Sequence, residues 1–201
     1  ISKEIIATLP IETFPGKIVV IDNERDADNA VLQLNNERII GFDTETRPTF
    51  KKGKSNHVAL IQLSTHDTCY LFRINRIGFT PAIKNLLENE SLLKVGISLK
   101  DDFCMLSRLN GGQFIPRNFI ELQKFVKKYN IEDQSLQKIY GIVIGKKISK
   151  GQRLSNWEAN HLTENQQLYA ATDAWSCIKI YEVLKSGKFK SPIYKIQPSS
   201  L

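Results

Sequence analysis

The sequence predicts an α/β fold, with one mixed β-sheet flanked by α-helices on both faces. Two observations lead to this class. The β-branched runs His57–Ser64 (HVALIQLS) and Thr68–Phe72 (TCYLF) are joined by three residues, which is typical of an antiparallel hairpin. Beyond them, short apolar runs alternate with segments of helical spacing, which is typical of parallel strands joined by crossover helices.

The part of the chain before the hairpin predicts two more strands and a helix. The run Lys17–Asp22 (KIVVID) is β-branched and predicts a strand, and Asp26–Gln33 has the apolar spacing of a helix. The run Arg38–Glu45 (RIIGFDTE) is apolar for most of its length, as expected of a central strand buried on both faces. Residues 1–16 contain two prolines and predict an extended lead-in.

The part after the hairpin predicts the alternating half of the fold. A capping box at Thr163 and Gln166 marks the start of the longest helix. No repeat or Gly/Ser/Pro-rich linker divides the chain, so residues 1–201 are expected to form one domain with an irregular tail over 187–201. The predicted strands are Leu92–Gly96 and Phe119–Leu122, and the predicted helices are Pro81–Asn89, Asp101–Leu109, Leu122–Tyr129, Leu136–Tyr140 and Thr163–Lys185.

Composition limits the class of protein. Apolar residues make up 41% of the chain and charged residues 24%, which is ordinary for a globular domain. No apolar run approaches the roughly 18 residues that a transmembrane helix needs, and the first residues lack the layout of a secretory signal. Cys69, Cys104 and Cys177 are odd in number and far apart, so they predict buried thiols rather than a disulfide framework. We therefore expect a reducing intracellular location, cytoplasmic, nuclear or nucleoid, and no membrane partner.

The charge balance favours a polyanionic partner. Lysine and arginine outnumber aspartate and glutamate by 28 to 21, which gives a formal net charge of +7. Such an excess favours nucleic acid, because contacts with phosphates release counterions. Two basic segments stand out: Lys51, Lys52 and Lys54 in one, and Lys146, Lys147, Lys150 and Arg153 in the other.

The end of the Arg38–Glu45 strand carries two acids. Side chains alternate along a strand, so Asp43 and Glu45 point to the same face. Two carboxylates on one face repel each other unless a cation neutralises them, and hard oxygen ligands suit Mg²⁺ or Mn²⁺. An exposed strand end with two solvated acids is the alternative. The buried strand that precedes them favours the rim of an α/β active site.

Two further segments carry acids. Asp101 and Asp102 begin a helix just after the strand Leu92–Gly96, although first-turn acids also simply favour the helix dipole. On the last helix, Tyr169 and Asp173 are four residues apart and share one face. The alanines around them would let a backbone or a ligand approach closely. Each segment alone also has an ordinary structural explanation.

Together the three segments resemble a family. The motifs are similar to those of the DEDD 3′-5′ exonucleases of the tyrosine subtype. Agreement of three motifs in the same order is improbable by chance. The resemblance covers roughly Ile18 to Leu184. It rests on Phe42–Glu45 (FDTE), Val58–Leu63 (VALIQL), Asp102 after Val95-Gly96, and Tyr169-x-x-x-Asp173. The runs Leu154–Trp157 (LSNW) and Leu168–Ala174 (LYAATDA) look especially like the exonuclease domain of the Werner syndrome protein, with ribonuclease D more distant.

This resemblance implies a ribonuclease H-like sheet and a two-metal-ion mechanism. The reaction would be attack of water on a phosphodiester at a nucleic-acid 3′ end, with two divalent cations, Mg²⁺ or Mn²⁺. Asp43, Glu45, Asp102 and Asp173 would hold the metals, and Tyr169 would orient the water. Thr44 and Tyr169 would contact the substrate. Lys147 and Arg153 are also expected to contact it, because they lie in the second basic segment and not because of the resemblance.

Several alternatives stay open. In the second motif, the spacing from Gly96 favours Asp102 as the ligand, and Asp101 is the alternative. DNA is favoured as the substrate over RNA, and a ribonuclease D-like exoribonuclease is the runner-up. A catalytically silent nucleic-acid-binding module is a third hypothesis, which the presence of all four acids argues against. Thr46-Arg47 stands where Werner-like domains tend to have an aromatic residue. A helicase or repair protein is expected as a partner in trans.

Overall fold

A computed structural model describes residues 1–47 and 57–189 of the chain. Within them, six strands form one sheet in the order β1-β4-β3-β2-β5-β6. The predicted α/β class with a mixed sheet is confirmed. The strands are β1 (Lys17–Ile21), β2 (Ile39–Thr46), β3 (Val58–Ser64), β4 (Thr68–Phe72), β5 (Leu93–Gly96) and β6 (Phe119–Glu121).

The pairing of the strands explains why the sheet is mixed. β3 runs antiparallel to both of its neighbours, β2 and β4, so the predicted hairpin of β3 and β4 is confirmed. β5 pairs parallel with β2, and β6 pairs parallel with β5. β1 pairs parallel with β4 at the other edge. The carboxyl ends of β2, β5 and β6 therefore meet at one edge of the sheet.

The helices cover both faces of the sheet, as predicted. α7 and α8 pack over an apolar core on one face, and α2, α4 and α5 pack over a second core on the other. No helix among the described residues is long and apolar enough to cross a membrane. The helices are α1 (Lys3–Thr8), α2 (Glu24–Leu34), α3 (Ile74–Ile77), α4 (Pro81–Glu88), α5 (Leu99–Leu109), α6 (Leu122–Phe125), α7 (Leu136–Ile144) and α8 (Glu164–Lys185), with a 3-10 helix (Val126–Tyr129) after α6.

The longest helix, α8, crosses the middle of the sheet. Its predicted capping box is present: the Thr163 hydroxyl accepts a hydrogen bond from the Gln166 backbone amide at 3.2 Å. The helix lies so close to β2 that a Cβ atom built on Gly41 would stand 1.9 Å from the Ala174 carbonyl oxygen. Glycine is therefore the residue that lets the two backbones meet at this point.

Two expectations about the lead-in and the cysteines are corrected. The lead-in over 1–16 is not extended throughout, because it contains the short helix α1. Ser2 caps this helix, and Ile6 within it is buried. Cys69 and Cys177 are buried as expected, but Cys104 is exposed on the outer side of α5. The four-residue helix α3 was not predicted, because it is too short to show a helical period. Most of the predicted tail lies outside the described residues.

Candidate active site

Three of the predicted acids form one cluster. Asp43 and Glu45 lie on the face of β2 that α8 covers, and Asp173 lies on α8. One carboxylate oxygen from each lies within 4.8 Å of the other two. Alternation along β2 puts residues 41, 43 and 45 on the same face, so the close approach of α8 at Gly41 also carries Asp173 towards the two strand acids.

The three carboxyl groups of the cluster repel one another when they are ionised. Burial, reinforced by Asp43 and Asp173, raises the pKa of Glu45 to about 10. Burial and the charges of Asp173 and Asp102 hold the pKa of Asp43 well above its ordinary value. Burial also raises the pKa of Asp173 to about 7, although a hydrogen bond with Tyr169 acts in the opposite direction. Such carboxyl groups ionise together only when positive charge is supplied.

Asp102 stands beside this cluster rather than inside it. It lies in the first turn of α5, where the Thr44 hydroxyl donates a hydrogen bond to its Oδ1 at 2.5 Å. Burial raises the pKa of Asp102 to about 6, and the nearby charges of Asp101 and Glu121 add to the shift. Asp101 is exposed and lines an outer groove instead. Of the two adjacent acids, the structure thus brings Asp102 towards the β2 acids.

Tyr169 lies one helical turn before Asp173. Its ring packs against the fully buried Trp157, with ring centroids 6.0 Å apart, and only 8% of Tyr169 is exposed. Burial, followed by the charges of Asp173 and Glu45, raises the pKa of Tyr169. The phenol therefore stays protonated at neutral pH and acts as a hydrogen-bond donor. Trp157 and Trp175 are core residues.

Two residues of the second basic segment act electrostatically on the acids of the site. Lys150 lowers the pKa of Asp173, and Arg153 lowers the pKa of Glu45, in each case through its positive charge. Lys147 is different, because its ammonium donates a hydrogen bond to the Ala7 carbonyl in the lead-in. The expectation that Lys147 contacts the substrate stays a prediction. Lys51, Lys52 and Lys54 lie outside the described residues.

Two residues near the site were missed by the sequence reasoning. Glu121 ends β6 and accepts hydrogen bonds from the backbone amides of Ser98 at 3.1 Å and Leu99 at 2.8 Å, which caps α5 and orients its first turn. An acid at a strand end, the pattern used for Asp43, is the feature that could have identified it. Arg47 forms an ion pair with Glu158 at 3.2 Å, and nothing in the local sequence indicates this partner.

The donor set fits a divalent cation. Asp43, Glu45 and Asp173 contribute carboxylate oxygens, which are ligands that hard divalent ions prefer. In the part of the chain that the structure describes, no lysine or arginine forms an ion pair with any of the three. A buried acidic cluster without an ion-pair partner needs positive charge from elsewhere, and a divalent metal supplies it.

Solved structures share this fold. The Nibbler EXO domain of Aedes aegypti superposes with a TM-score of 0.79 at 22% identity, over 92% of this chain and 97% of that chain. Ribonuclease D of Escherichia coli gives a TM-score of 0.74 at 20% identity, over 86% of this chain and 45% of that chain. At these identities the likeness establishes the ribonuclease H-like fold alone.

Sequence relatives establish the family. A family profile described as 3′-5′ exonuclease matches residues 18–187. The bifunctional 3′-5′ exonuclease/ATP-dependent helicase WRN of Mus musculus is 35% identical over 193 residues, which is 88% of this chain and 13% of that protein. The exonuclease mut-7 homolog of Aedes aegypti is 27% identical over 81% of this chain and 26% of its own length. This chain therefore belongs to the 3′-5′ exonuclease family, a family of metal-dependent hydrolases.

Proposed function

We propose that this chain removes nucleoside monophosphates one at a time from the 3′ ends of nucleic acid, with DNA preferred over RNA. The observation that carries the proposal is the cluster of Asp43, Glu45 and Asp173 beside the buried phenol of Tyr169. A structural acidic cluster would not need a tyrosine donor next to it. The proposal extends to the whole of residues 1–201 as one exonuclease domain.

The proposed metal ligands are Asp43, Glu45, Asp102 and Asp173, holding two ions of Mg²⁺ or Mn²⁺. When bound, the two cations would neutralise the negative charge that develops on the phosphate. Asp43 is central because, after burial, the charges of both Asp173 and Asp102 raise its pKa. Thr44 would keep Asp102 oriented through the hydrogen bond to its Oδ1.

The remaining residues would bind and orient. The Tyr169 hydroxyl, protonated at neutral pH, would orient the attacking water by a hydrogen bond. Arg153 and Lys150 would pair with substrate phosphates, because their charges already act on the acids of the site. The Thr44 backbone would face the terminal 3′-hydroxyl. All four acids and Tyr169 are present, which favours an active enzyme over a silent binding module.

The preference for DNA rests on the Werner-like runs around Trp157 and Asp173 and on the 35% identity to the mouse exonuclease/helicase. The chain spans about an eighth of that relative. We propose a helicase or repair protein as a partner that acts in trans. The second candidate is an exoribonuclease. It is favoured by fold neighbours such as the Trypanosoma brucei ribonuclease D that was solved in complex with RNA.

The function is tested by incubating the chain with 5′-labelled, 3′-recessed duplex DNA and with matched RNA, in Mg²⁺, Mn²⁺ or EDTA. We expect a metal-dependent ladder that shortens from the 3′ end and is faster on DNA, because the acids cannot bind phosphate without cations. Faster shortening of RNA would select the exoribonuclease instead. If neither polymer shortens with either metal, the exonuclease proposal is wrong.

Divalent metal should stabilise the chain more at pH 8 than at pH 5. The folded-state pKa values of Asp102, about 6, and Asp173, about 7, lie above their ordinary values, so the metal-free fold is stabilised by protonation and loses this contribution as the pH rises through them. Bound cations offset that loss. We expect Mg²⁺ or Mn²⁺ to raise the melting temperature by roughly 3–6 °C at pH 8 and by much less at pH 5.

Differential scanning fluorimetry in EDTA and in excess metal measures this difference. Asp101→Asn is the matched control, because it removes an exposed acid whose charge adds to the raised pKa of Asp102 only after burial, so most of the pH-dependent shift should remain. An equal shift at the two pH values would mean that the metal binds somewhere other than the acidic cluster.

A further inference from the structure

The segment that precedes β1 is joined to the basic loop, defined here as residues 145–153. Residues Ile11 and Lys147 form an isolated parallel β-bridge. The Glu12 amide donates to the Lys147 carbonyl at 2.8 Å, and the Lys147 amide donates to the Pro10 carbonyl at 2.9 Å. The Lys147 ammonium adds a hydrogen bond to the Ala7 carbonyl. The lead-in therefore holds the first half of the loop through the backbone as well as through a side chain.

Glu12 supplies the charge at this junction. Its Oε1 accepts a hydrogen bond from Lys146 at 2.8 Å, and its Oε2 accepts one from Lys179 at 2.8 Å and another from the Tyr140 hydroxyl. Only 17% of the Glu12 side chain is exposed. Burial raises the pKa of Glu12, but these three hydrogen bonds outweigh it and bring the pKa to about 2. The Glu12 carboxylate therefore accepts hydrogen bonds from residues of α7, α8 and the basic loop.

The far half of the same loop borders the acidic site, because Ser149 and Gln152 line one pocket together with Tyr169. Lys150 and Arg153 flank these two loop residues, and their charges act on Asp173 and Glu45. Between the two halves, Ile148 is buried and its carbonyl accepts a hydrogen bond from the Gln137 side chain at 2.7 Å. The loop is therefore fixed on the side of Glu12, while Lys150 and Arg153 are exposed at its other end.

We propose that Glu12 is a positioning residue, which acts through Lys146 and the basic loop to hold Lys150 and Arg153 over the acids for contact with substrate phosphate. The proposal rests on the proposed function, because it assigns the loop cations to substrate. It predicts a defect in substrate binding rather than in the chemical step, since Glu12 touches none of the four acids. A purely structural role for Glu12 would instead lower the stability of the whole fold.

The test compares Glu12→Gln with Glu4→Gln, which changes an exposed carboxylate of the same lead-in that has no contact with the loop. Hydrogen exchange is measured first, without substrate or metal. In Glu12→Gln we expect faster exchange in peptides covering 145–153, with unchanged protection in the middle of α8. Exchange that is unchanged in the loop, or faster throughout the fold, would overturn the proposal. This arm gives its answer even if the chain degrades neither DNA nor RNA.

Kinetics on a single-stranded oligonucleotide give the second arm. Glu12→Gln should raise KM roughly five-fold, as expected for losing pre-arranged charge-assisted contacts, and change kcat by less than about two-fold. In a Lys150→Ala/Arg153→Ala background the same substitution should have no further effect on KM, because the cations through which it acts are gone. Equal effects of Glu12→Gln in both backgrounds, or a loss confined to kcat, would show that Glu12 does not act through these cations.

Discussion

Asp43→Asn is expected to lower the nuclease rate by at least roughly a thousand-fold, because it removes one of the carboxylates that would hold the metals. The same substitution should make the metal-free chain more stable. In the native site Asp43 is buried, and its pKa is raised by burial and by the charges of Asp173 and Asp102. A neutral amide of the same shape removes that repulsion, so the melting temperature in EDTA should rise by roughly 2–5 °C.

Rate and stability are measured on the same preparations, by 3′-end shortening of a labelled oligonucleotide and by thermal unfolding in EDTA. Asp101→Asn is the control, because it also removes one carboxylate charge but from an exposed position on α5. It should retain the rate within about three-fold, as surface substitutions usually do. A loss of rate in Asp101→Asn as severe as that in Asp43→Asn would mean that the second motif was assigned to the wrong acid.

Gly41→Ala should destabilise the fold by about 3 kcal/mol or more, which is at the high end for a single added methyl group. The new Cβ would lie 1.9 Å from the Ala174 carbonyl oxygen and 2.7 Å from its carbonyl carbon, and a backbone group cannot turn aside as a side chain can. α8 would have to move away from β2, and Asp173 would move with it. We therefore expect activity to fall together with stability.

Urea unfolding of the metal-free protein checks this expectation. Gly151→Ala is the matched control, because its Cβ would meet only the Ser149 hydroxyl, at 3.4 Å, and it should change the free energy of unfolding by less than about 0.5 kcal/mol. A Gly41→Ala protein that is as stable as the Gly151→Ala protein would show that α8 can shift at little cost. The close approach would then not be what brings the acids together.

Much of the fold follows from local patterns in the sequence. The hairpin of β3 and β4 follows from two β-branched runs with a short connection, and the start of α8 follows from the capping box at Thr163 and Gln166. Alternation along β2 is also local, so Asp43 and Glu45 could be assigned to one face without a structure. The family motifs could be identified for the same reason, because each lies within a few consecutive residues.

The tertiary structure was needed wherever partners are far apart in the chain. Asp102 and Asp101 are adjacent and both suit a helix start. The spacing from Gly96 favours Asp102, and the structure adds the hydrogen bond that Asp102 accepts from Thr44, 58 residues earlier. Lys147 and Lys150 belong to the same basic run, yet Lys147 donates a hydrogen bond to the lead-in, while the charge of Lys150 lowers the pKa of Asp173. Composition cannot separate such neighbours, because the direction of each side chain depends on the backbone that packs against it.

The sequence by itself therefore determined the α/β class, the two acids on β2 and the motifs that indicate a 3′-5′ exonuclease. The tertiary structure alone decided how Asp173 reaches these acids, through the close approach of α8 at Gly41, and that Glu12 joins the lead-in to the basic loop. The physical reason is that periodicity and capping depend on neighbours within a few residues. Contacts between β2 and α8, or between Glu12 and Lys179, depend on how whole elements pack against one another.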